Sequence, residues 1–395
     1  MKETNKKLFL LFLVIAIFGF GEGFFYNFEE LWFKDNNLTI KTISIITSLC
    51  SLVSVLFIFL FSNLIQRHRL KRFVSILLFT KSLTLIFLFF LNHSGNAFLI
   101  KFFALIEGTI DTEITVCLYP LLSLVKTDDK LYSKKDIIYP FFYFLSLFIS
   151  GILLGKQISF ININYNIYCL ISAILEFIAF ILLCSIDLKV KEEKLNNEII
   201  IFSLSKKLIK DKISILYFLY LLFDQISYYS LMGLPMSLLT NHFHFIPTFA
   251  SNFRVLLGIS AAIFGYIVLK FLTFKNDYYN YSIKYLSRAI ILILALIFMK
   301  NELYIASYAL FLFMSSSYSH IIHAPYINRY SGKYQFAFCN LREMIVYLGG
   351  FIGIYLCGIG LNNHLWLNCI IALSFLLIQL IFGYTAIYYR KKEKK

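Results

Sequence analysis

The sequence predicts an all-α integral membrane protein of about twelve transmembrane helices, arranged as two six-helix bundles related by a pseudo-twofold axis. Hydrophobic residues make up 59% of the 395 residues and charged residues 15%, and the mean hydropathy is +0.75. Apolar runs of about 20 residues, the length that crosses a bilayer as a helix, recur along the whole chain. Short charged or asparagine-rich breaks separate these runs and leave no room for a soluble domain.

Breaks in hydrophobicity divide the chain into twelve candidate spans, whose ends are expected to within about 2 to 4 residues. The spans run near 8–30, 40–62, 73–91, 98–124, 137–155, 164–186, 213–239, 248–272, 281–299, 303–326, 338–361 and 365–389. Only Lys300, Asn301 and Glu302 separate the ninth span from the tenth. The first span is too long for the apolar part of a signal peptide and lacks a small-residue cleavage site, so we expect a retained helix.

Basic residues are distributed unevenly across this predicted topology. The formal net charge is +15, and 28 of the 37 lysines and arginines fall on the inner side when the N-terminus is placed inside. Five fall in outer loops, and the remaining four lie within spans. This distribution predicts a multi-pass protein of the cell membrane with both termini in the cytoplasm. Topology and contact with anionic membrane lipids explain the charge, so no nucleic-acid partner is expected.

The seven cysteines all fall within apolar spans, without a Cys-x-x-Cys pair or a spacing suited to a metal. We expect them to pack as small hydrophobic side chains. No metal and no cofactor are predicted. The sequence contains no Walker-type loop, so ATP is not expected to supply energy directly. A monomer is expected.

The longest polar stretch lies near the middle of the chain and divides the spans into two sets of six. We therefore predict an N-terminal six-helix bundle over 1–186, a cytoplasmic linker over 187–212 and a C-terminal six-helix bundle over 213–395. Two sets of this kind are typical of transporters built from repeats.

Glycines four residues apart occur in the fifth span (Gly151 and Gly155) and in the eleventh (Gly349 and Gly353). This spacing favours close packing of helix backbones. The alternative is that glycine is simply frequent in transmembrane helices.

The number of spans, their six-plus-six division and the basic loop at 62–72 resemble the major facilitator superfamily. Within this loop Arg67, Lys71 and Arg72 match the basic part of the family's cytoplasmic signature. Gln66 stands where the signature has an aspartate, and the leading glycine is missing. The resemblance implies a transporter that works by alternating access, in which the first, fourth, seventh and tenth helices line a central cavity.

Acidic side chains lie within three of those four helices, at a membrane depth where each ionisable group costs about 2.5 kcal/mol or more. Glu22 is flanked by glycines in the first span, and Asp224 lies near the middle of the seventh. Glu107 and Asp111 are four residues apart in the fourth span, so they lie on one helix face. Two such carboxylates do not both ionise cheaply, and one is expected to hold a proton. These four acids are the predicted proton-coupling groups.

Six further polar residues are candidates for substrate contact: Tyr228, Arg254, His320, His323, Arg342 and Glu343. A static ion pair is an equally good interpretation of Arg254 and of the adjacent Arg342 and Glu343. For the two histidines, a hydrogen bond at a cytoplasmic gate is an alternative to proton transfer. Lys81 and Glu176 lie on helices expected at the periphery, and Lys81 could pair with an acid of the fourth helix.

The leading functional hypothesis is a secondary transporter that uses the proton gradient to export a drug or antimicrobial compound, since an acid-rich cavity favours cationic or amphipathic cargo. The same acids could instead drive nutrient uptake by proton symport, or the protein could flip a lipid-like substrate. The expected partners are a small-molecule or peptide-like substrate, protons and membrane lipids. An enzyme is not expected, because the outer loops are too short to hold a catalytic site.

Overall fold

The computed structural model describes residues 2–61, 70–125, 129–158, 161–188, 210–271, 274–298, 301–316, 319–327, 329 and 332–393. Arg67 of the basic loop lies outside the described residues, and His320 is described by its backbone alone.

The chain divides into two compact units. The first comprises Met1–Asn196 and Met236–Val255, and the second comprises Asn197–Pro235 and Leu256–Lys395. The segment Met236–Val255 follows the first helix of the predicted C-terminal bundle in sequence, yet it packs within the first unit. Hydrophobic runs identify this segment as membrane-embedded but carry no information about the partner against which it packs.

The described helices of residues 1–196 are α1 (Lys2–Phe25), α2 (Glu29–Asp35), α3 (Ile40–Phe61), α4 (Leu70–Leu91), α5 (Ala97–Ser123), α6 (Asp129–Leu153) and α7 (Tyr165–Ser185). Two-residue strands β1 (Gln157–Ile158) and β2 (Ile161–Asn162) pair antiparallel between α6 and α7. The later helices are α8 (Lys212–Met232), α9 (Pro235–Ser237), a π-helical turn (Leu238–His242), α10 (Pro247–Phe271), α11 (Asp277–Phe298), α12 (Asn301–Ser316), α13 (Ser319–Ile327), α14 (Gly332–Asn363) and α15 (Leu365–Glu393).

The predicted fold class is confirmed. Each of the twelve predicted spans coincides with at least one helix, and eight helical stretches in the described residues are long and apolar enough to cross a membrane. Helix α5 is 27 residues long, and Glu107, Asp111 and Glu113 place three acids within seven consecutive residues of it. Helix α5 therefore carries a large share of the acidic residues within the predicted spans.

Several predicted helix ends are wrong by more than the expected margin. The first span is interrupted after Phe25, and α2 begins at Glu29. Helix α6 begins at Asp129 rather than near 137, and α14 begins at Gly332 rather than near 338. Hydropathy marks the part of a helix that lies in lipid, whereas hydrogen bonding and capping decide where the helix ends.

Asparagine and aspartate side chains mark the starts of three helices. Asn96 accepts a hydrogen bond from the backbone N–H of Leu99 at the start of α5, and Asn164 does the same for Ile167 at the start of α7. Asp211 accepts one from the N–H of Ile213 at the start of α8. These oxygens satisfy donors that the first helical turn leaves unpaired.

Glycine permits the closest helix contact in the first unit, where α1 packs against α6 and α7 and α4 packs against α5 and α7. A Cβ atom at Gly23 would lie 1.9 Å from Oγ of Ser146 and 2.5 Å from the carbonyl oxygen of Tyr143. The packing role predicted for Gly151 is confirmed, because its Cβ would lie 2.7 Å from Oδ1 of Asn252. The same prediction is wrong for Gly155, which has open space around it and a φ of 75° where α6 has ended.

In the second unit α8 packs against α14 and α15, and α11 packs against α12 and α15. The packing role predicted for the glycines of the eleventh span is confirmed. A Cβ at Gly349 would lie 2.5 Å from Cβ of Gln225, and one at Gly353 would lie 2.6 Å from Cβ of Tyr229. These contacts bring α14 close to α8, the helix that carries Asp224.

Candidate functional site

A buried lysine organises the polar interior of the first unit. Lys81 of α4 is 1% exposed, and its ammonium group donates a hydrogen bond to Asp111 of α5. Its Nζ also lies 3.5 Å from Oε1 of Glu176 on α7 and 3.8 Å from Oε1 of Glu107 on α5. The ring of Phe18 lies 4.8 Å from Nζ and covers it. We call Lys81 and its four acidic neighbours the acidic cluster: Glu22, Lys81, Glu107, Asp111 and Glu176.

Glu22 joins this cluster from α1. Its carboxyl group is 7% exposed in the fold, accepts a hydrogen bond from the hydroxyl of Tyr139 on α6, and interacts electrostatically with Lys81. Gly21 allows this approach, because a Cβ there would lie 3.1 Å from Cβ of Leu175 on α7. The glycines that flank Glu22 in the sequence thus serve to bring α1 against its neighbours.

The acidic cluster contains more carboxyl groups than its lysine can neutralise. Four acidic residues, each no more than 9% exposed, surround one ammonium group. Ionising all four would leave three uncompensated negative charges in a region of low dielectric, which is far more costly than binding protons.

Three of the predicted proton-coupling acids, Glu22, Glu107 and Asp111, come together in this cluster. The structure also shows the alternative pairing considered for Lys81, because Asp111 forms an ion pair with it. Lys81 and Glu176 point into the unit, although their helices are expected at the periphery. Asp111 thus has a counter-ion that a neighbouring helix, α4, supplies.

The fourth predicted acid, Asp224 of α8, lies in the second unit beside two cations of α11. Arg288 donates from Nη1 to Oδ1 of Asp224 at 2.5 Å, and the Tyr285 hydroxyl donates to Oδ2 at 3.3 Å. Lys284, one turn before Arg288, is 1% exposed and interacts electrostatically with Asp224. Tyr220 extends the network through a hydroxyl–hydroxyl hydrogen bond of 2.6 Å to Tyr285. We call Asp224, Lys284, Tyr285 and Arg288 the cationic cluster.

Sequence analysis missed the cationic cluster. The charge count assigns Lys284 to an inner loop, whereas the structure places it inside α11. The available signal is the four-residue spacing between Lys284 and Arg288, which puts both cations on one face of a largely apolar helix. The partner, Asp224, lies 60 or more residues away in sequence and only the fold brings it close.

His323 lies buried in the second unit, 7% exposed, beside two tyrosines of α8. Its Nδ1 is 3.1 Å from the hydroxyl oxygen of Tyr217, and its ring stacks on Tyr220 with centroids 5.8 Å apart. Tyr217 also stacks on Tyr326 at 4.4 Å. The hydrogen-bonding interpretation of His323 thus has a partner in the structure.

The candidates Tyr228, Arg342 and Glu343 have partners within the second unit. Tyr228 stacks on Phe311 with ring centroids 6.5 Å apart. Arg342 pairs with the adjacent Glu343, and the two side chains are 25% and 30% exposed. Such a half-exposed pair contributes little to stability.

Arg254 belongs to the part of α10 that packs within the first unit. It donates a hydrogen bond to Oδ1 of Asn27, and the amide of Asn27 donates to Oγ of Ser251 at 2.6 Å. Ser251 in turn donates to the carbonyl of Leu147 at 3.2 Å. The hydrogen-bond partner of Arg254 is thus the neutral amide of Asn27, whereas the static interpretation named an ion pair.

The described part of the basic loop has a local structural role. Lys71 donates hydrogen bonds to the carbonyl oxygens of Cys184 at 3.0 Å and Ile186 at 2.6 Å, at the end of α7. A cation at this end satisfies carbonyls that the last helical turn leaves unpaired. Arg72 is exposed.

Solved structures of transporters match the chain over nearly its whole length. The nucleoside transporter NupG matches with a TM-score of 0.66 at 14% identity, covering 98% of this chain and 99% of that one. An inward-facing, unoccupied bacterial homologue of the human lysosomal transporter Spinster gives a TM-score of 0.70 at 14% identity, covering 98% and 97%. A D-xylose-proton symporter gives 0.70 at 10% identity, covering 94% and 96%.

No family model matches the sequence, and no curated protein matches it either. At 10 to 14% identity, the similarity to solved structures establishes the fold. The apolar helices and these matches together identify the chain as a multi-pass membrane protein with the major facilitator fold.

Proposed function

We propose that this protein is a secondary active transporter of the cell membrane that couples the movement of a small solute to protons by alternating access. The transporters that share its fold include a nucleoside transporter and a D-xylose-proton symporter. The acidic cluster is the observation that carries the proposal of proton coupling. The excess of basic residues in the inner loops supports a cytoplasmic location for both termini.

Protonation of the acidic cluster changes the partner of Lys81. When Asp111 takes up a proton, its attraction for the ammonium group falls, and Glu176 and Glu107 are already within 4 Å of Nζ. Lys81 then shifts its pairing from one acid to another. Because these residues lie on α4, α5 and α7, such a shift changes the contacts among three helices. This exchange is the proposed link between proton binding and movement of the unit.

We propose proton symport as the direction of coupling. Export was expected because an acid-rich cavity favours cationic or amphipathic cargo. Three of the predicted acids instead surround Lys81, so this reason for export loses its support. The D-xylose-proton symporter, which shares the fold, is named for the movement of its solute together with a proton. Export by antiport is the alternative.

The test is solute-driven proton movement in proteoliposomes that enclose a pH-sensitive dye. Uridine, D-xylose or benzoate is added outside at equal pH on both sides, and the acidification that benzoic acid causes in protein-free liposomes is subtracted. Symport predicts acidification of the lumen on addition of a transported solute, whereas antiport predicts alkalinisation. A radiolabelled tracer of the same solute reports its entry independently of the dye.

Glu22→Gln tests the coupling role of the cluster. This variant keeps the shape of the side chain but fixes it as neutral, so we expect solute-driven acidification to fall at least tenfold while exchange of the solute at equal concentrations continues. Asp35→Asn, which alters an exposed acid in the same unit, is the matched control and should behave as the parent. Parent-like acidification by Glu22→Gln would remove Glu22 from the coupling mechanism. Tracer entry without proton movement in the parent would contradict proton coupling altogether.

A further inference from the structure

Arg288 has a buried edge with unused hydrogen-bond donors. Of its guanidinium nitrogens, Nη1 donates to Asp224, whereas Nε and Nη2 find no acceptor in the part of the chain that the structure describes. The residue is 1% exposed, so bulk water does not take the place of an acceptor. Buried donors left without a partner cost about 1–3 kcal/mol each and normally have one in the functional state.

The two unused donors form a fork. Nε–H and the nearer N–H of Nη2 lie on the same edge of the planar guanidinium and point in the same direction. This geometry matches two oxygens of one carboxylate or phosphate group. A carbonyl or hydroxyl oxygen can satisfy one of them. An oxyanion satisfies both with parallel hydrogen bonds.

Aromatic rings hold the plane of Arg288 while leaving that edge unused. Its Cζ lies 4.5 Å from the centroid of Phe311 and 5.4 Å from that of Tyr285. Cation–π contacts of this kind fix the faces of the guanidinium and not its edge. Lys284 adds a second positive group on the same helix face. The cationic cluster thus combines an oriented fork with a favourable field for negative charge.

We propose that Arg288 binds the carboxylate or phosphate group of a small anionic solute within the second unit, with Lys284 adding attraction and Asp224 holding the guanidinium in place. This inference rests on the proposed transport function and names its substrate class as a small organic anion. Joint movement of a monoanion and one proton transfers no net charge. The acidic cluster supplies the proton, and the cationic cluster supplies the anion site.

The test measures binding to the purified full-length protein in detergent by its thermal unfolding midpoint at constant ionic strength. The probes are benzoate and acetate, with benzamide and acetamide as their neutral counterparts, and inorganic phosphate as a separate arm. We expect at least one oxyanion to raise the midpoint and the amides to leave it unchanged. Stabilisation by phosphate alone, lost on changing Arg288, assigns the site to phosphate and supports the oxyanion inference.

Arg288→Lys keeps the charge and removes the fork, so the concentration of oxyanion needed for half of the shift should rise about tenfold. Arg390→Lys is the matched control. Arg390 is also buried and pairs with Asp277 at 2.5 Å. Nη1 is its one buried donor without an acceptor among the described residues, so it offers no fork. The double variant Asp224→Asn with Arg288→Gln removes both charges together, which avoids an unpaired buried carboxylate, and should not respond to oxyanions.

Two results would overturn the anion site: equal effects of oxyanions and amides on the parent, or an unchanged oxyanion response in Arg288→Lys. The proteoliposome assay separates this outcome from failure of the proposed function. Proton movement driven by uridine or D-xylose, with no response to benzoate, would support the proposed transport function and contradict the anion site. The opposite outcome is oxyanion binding that depends on Arg288 without any movement of solute or protons. It would support the anion site and contradict the transport proposal.

Discussion

Lys81 is 1% exposed within the first unit and has acids from three helices around it. A charge of this kind is tolerated in the membrane only while its partners remain. The same contacts that make Lys81 suitable for a proton-dependent exchange also make it a structural requirement. Stability and the proposed coupling would therefore depend on the same residue.

Replacing Lys81 with methionine should strongly destabilise the protein, because it leaves several buried carboxyl groups without a cation. We expect a loss of about 3–5 kcal/mol, the usual cost of breaking a buried ion pair by removing one partner. The thermal unfolding midpoint in detergent measures it. The double variant Lys81→Met with Asp111→Leu should recover much of the loss, and Lys101→Met, at an exposed position of α5, should show little change. An undiminished midpoint in Lys81→Met would contradict a structural ion pair.

Glu113 of α5 presents the opposite case. It is fully buried, and neither oxygen accepts a hydrogen bond from any described residue. Removing such a group relieves a desolvation cost, so Glu113→Leu should raise stability by about 1 kcal/mol. The matched variant Glu107→Leu should lower it, since Glu107 lies within 3.8 Å of Lys81. If both variants shift the unfolding midpoint in the same direction, the contacts described for these acids do not control stability.

At the scale of elements, close approach of helices positions the acidic cluster. Helix α1 reaches α6 and α7 through Gly21 and Gly23, and this brings Glu22 to the hydroxyl of Tyr139. The cluster therefore requires the backbone contact as much as it requires the charged groups themselves.

Gly23→Leu should separate α1 from α6. The new side chain meets Ser146 and the backbone carbonyl of Tyr143, and a backbone atom cannot move aside at small cost, so we expect at least about 1–3 kcal/mol of destabilisation. Loss of the monodisperse peak in size-exclusion chromatography after mild heating measures it. The control is Gly95→Asn, because Gly95 has open space and a φ of 71° that asparagine tolerates. Equal behaviour of the two variants would mean that the α1–α6 contact is not tight.

Glu30 of α2 holds the start of α9. Its carboxylate oxygens accept hydrogen bonds from the backbone N–H groups of Met236 at 3.3 Å and Ser237 at 2.7 Å. Glu30→Ala should cost about 1 kcal/mol, as loss of a helix cap usually does. Faster amide hydrogen exchange in 236–242 than in the parent is the expected signature. Asp35→Ala, which alters an exposed acid of the same helix, should leave that exchange rate unchanged, and a parent-like rate in Glu30→Ala would exclude the capping role.

At the scale of the whole molecule, the distribution of basic residues is the basis of the proposed topology. Cysteine placed at Gly95 should react with a membrane-impermeant maleimide in intact cells, and cysteine placed at Asp187 should react only after permeabilisation. Both positions are exposed. The background should carry Cys184→Ser, since Cys184 is the exposed native cysteine among the described residues. The reverse labelling pattern would invert the proposed orientation.

Hydropathy alone predicts that the chain crosses a membrane about twelve times, because the length and hydropathy of each apolar run are local properties. It also identified Glu22, Glu107 and Asp111 as intramembrane acids, because a charge within an apolar run is visible without knowing its neighbours. Helix ends were less accurate, since capping residues such as Asp211 act outside the apolar run.

The partners of those charges are visible only in the folded chain. Lys81 meets Asp111 across 30 residues of sequence, and Arg288 meets Asp224 across 64. Hydropathy assigns a cost to each buried charge but cannot state which other charge offsets it, because that depends on helix rotation and close packing at glycines such as Gly23. The acidic cluster and the unused edge of Arg288 are therefore properties of the fold, although every residue in them is plain in the sequence.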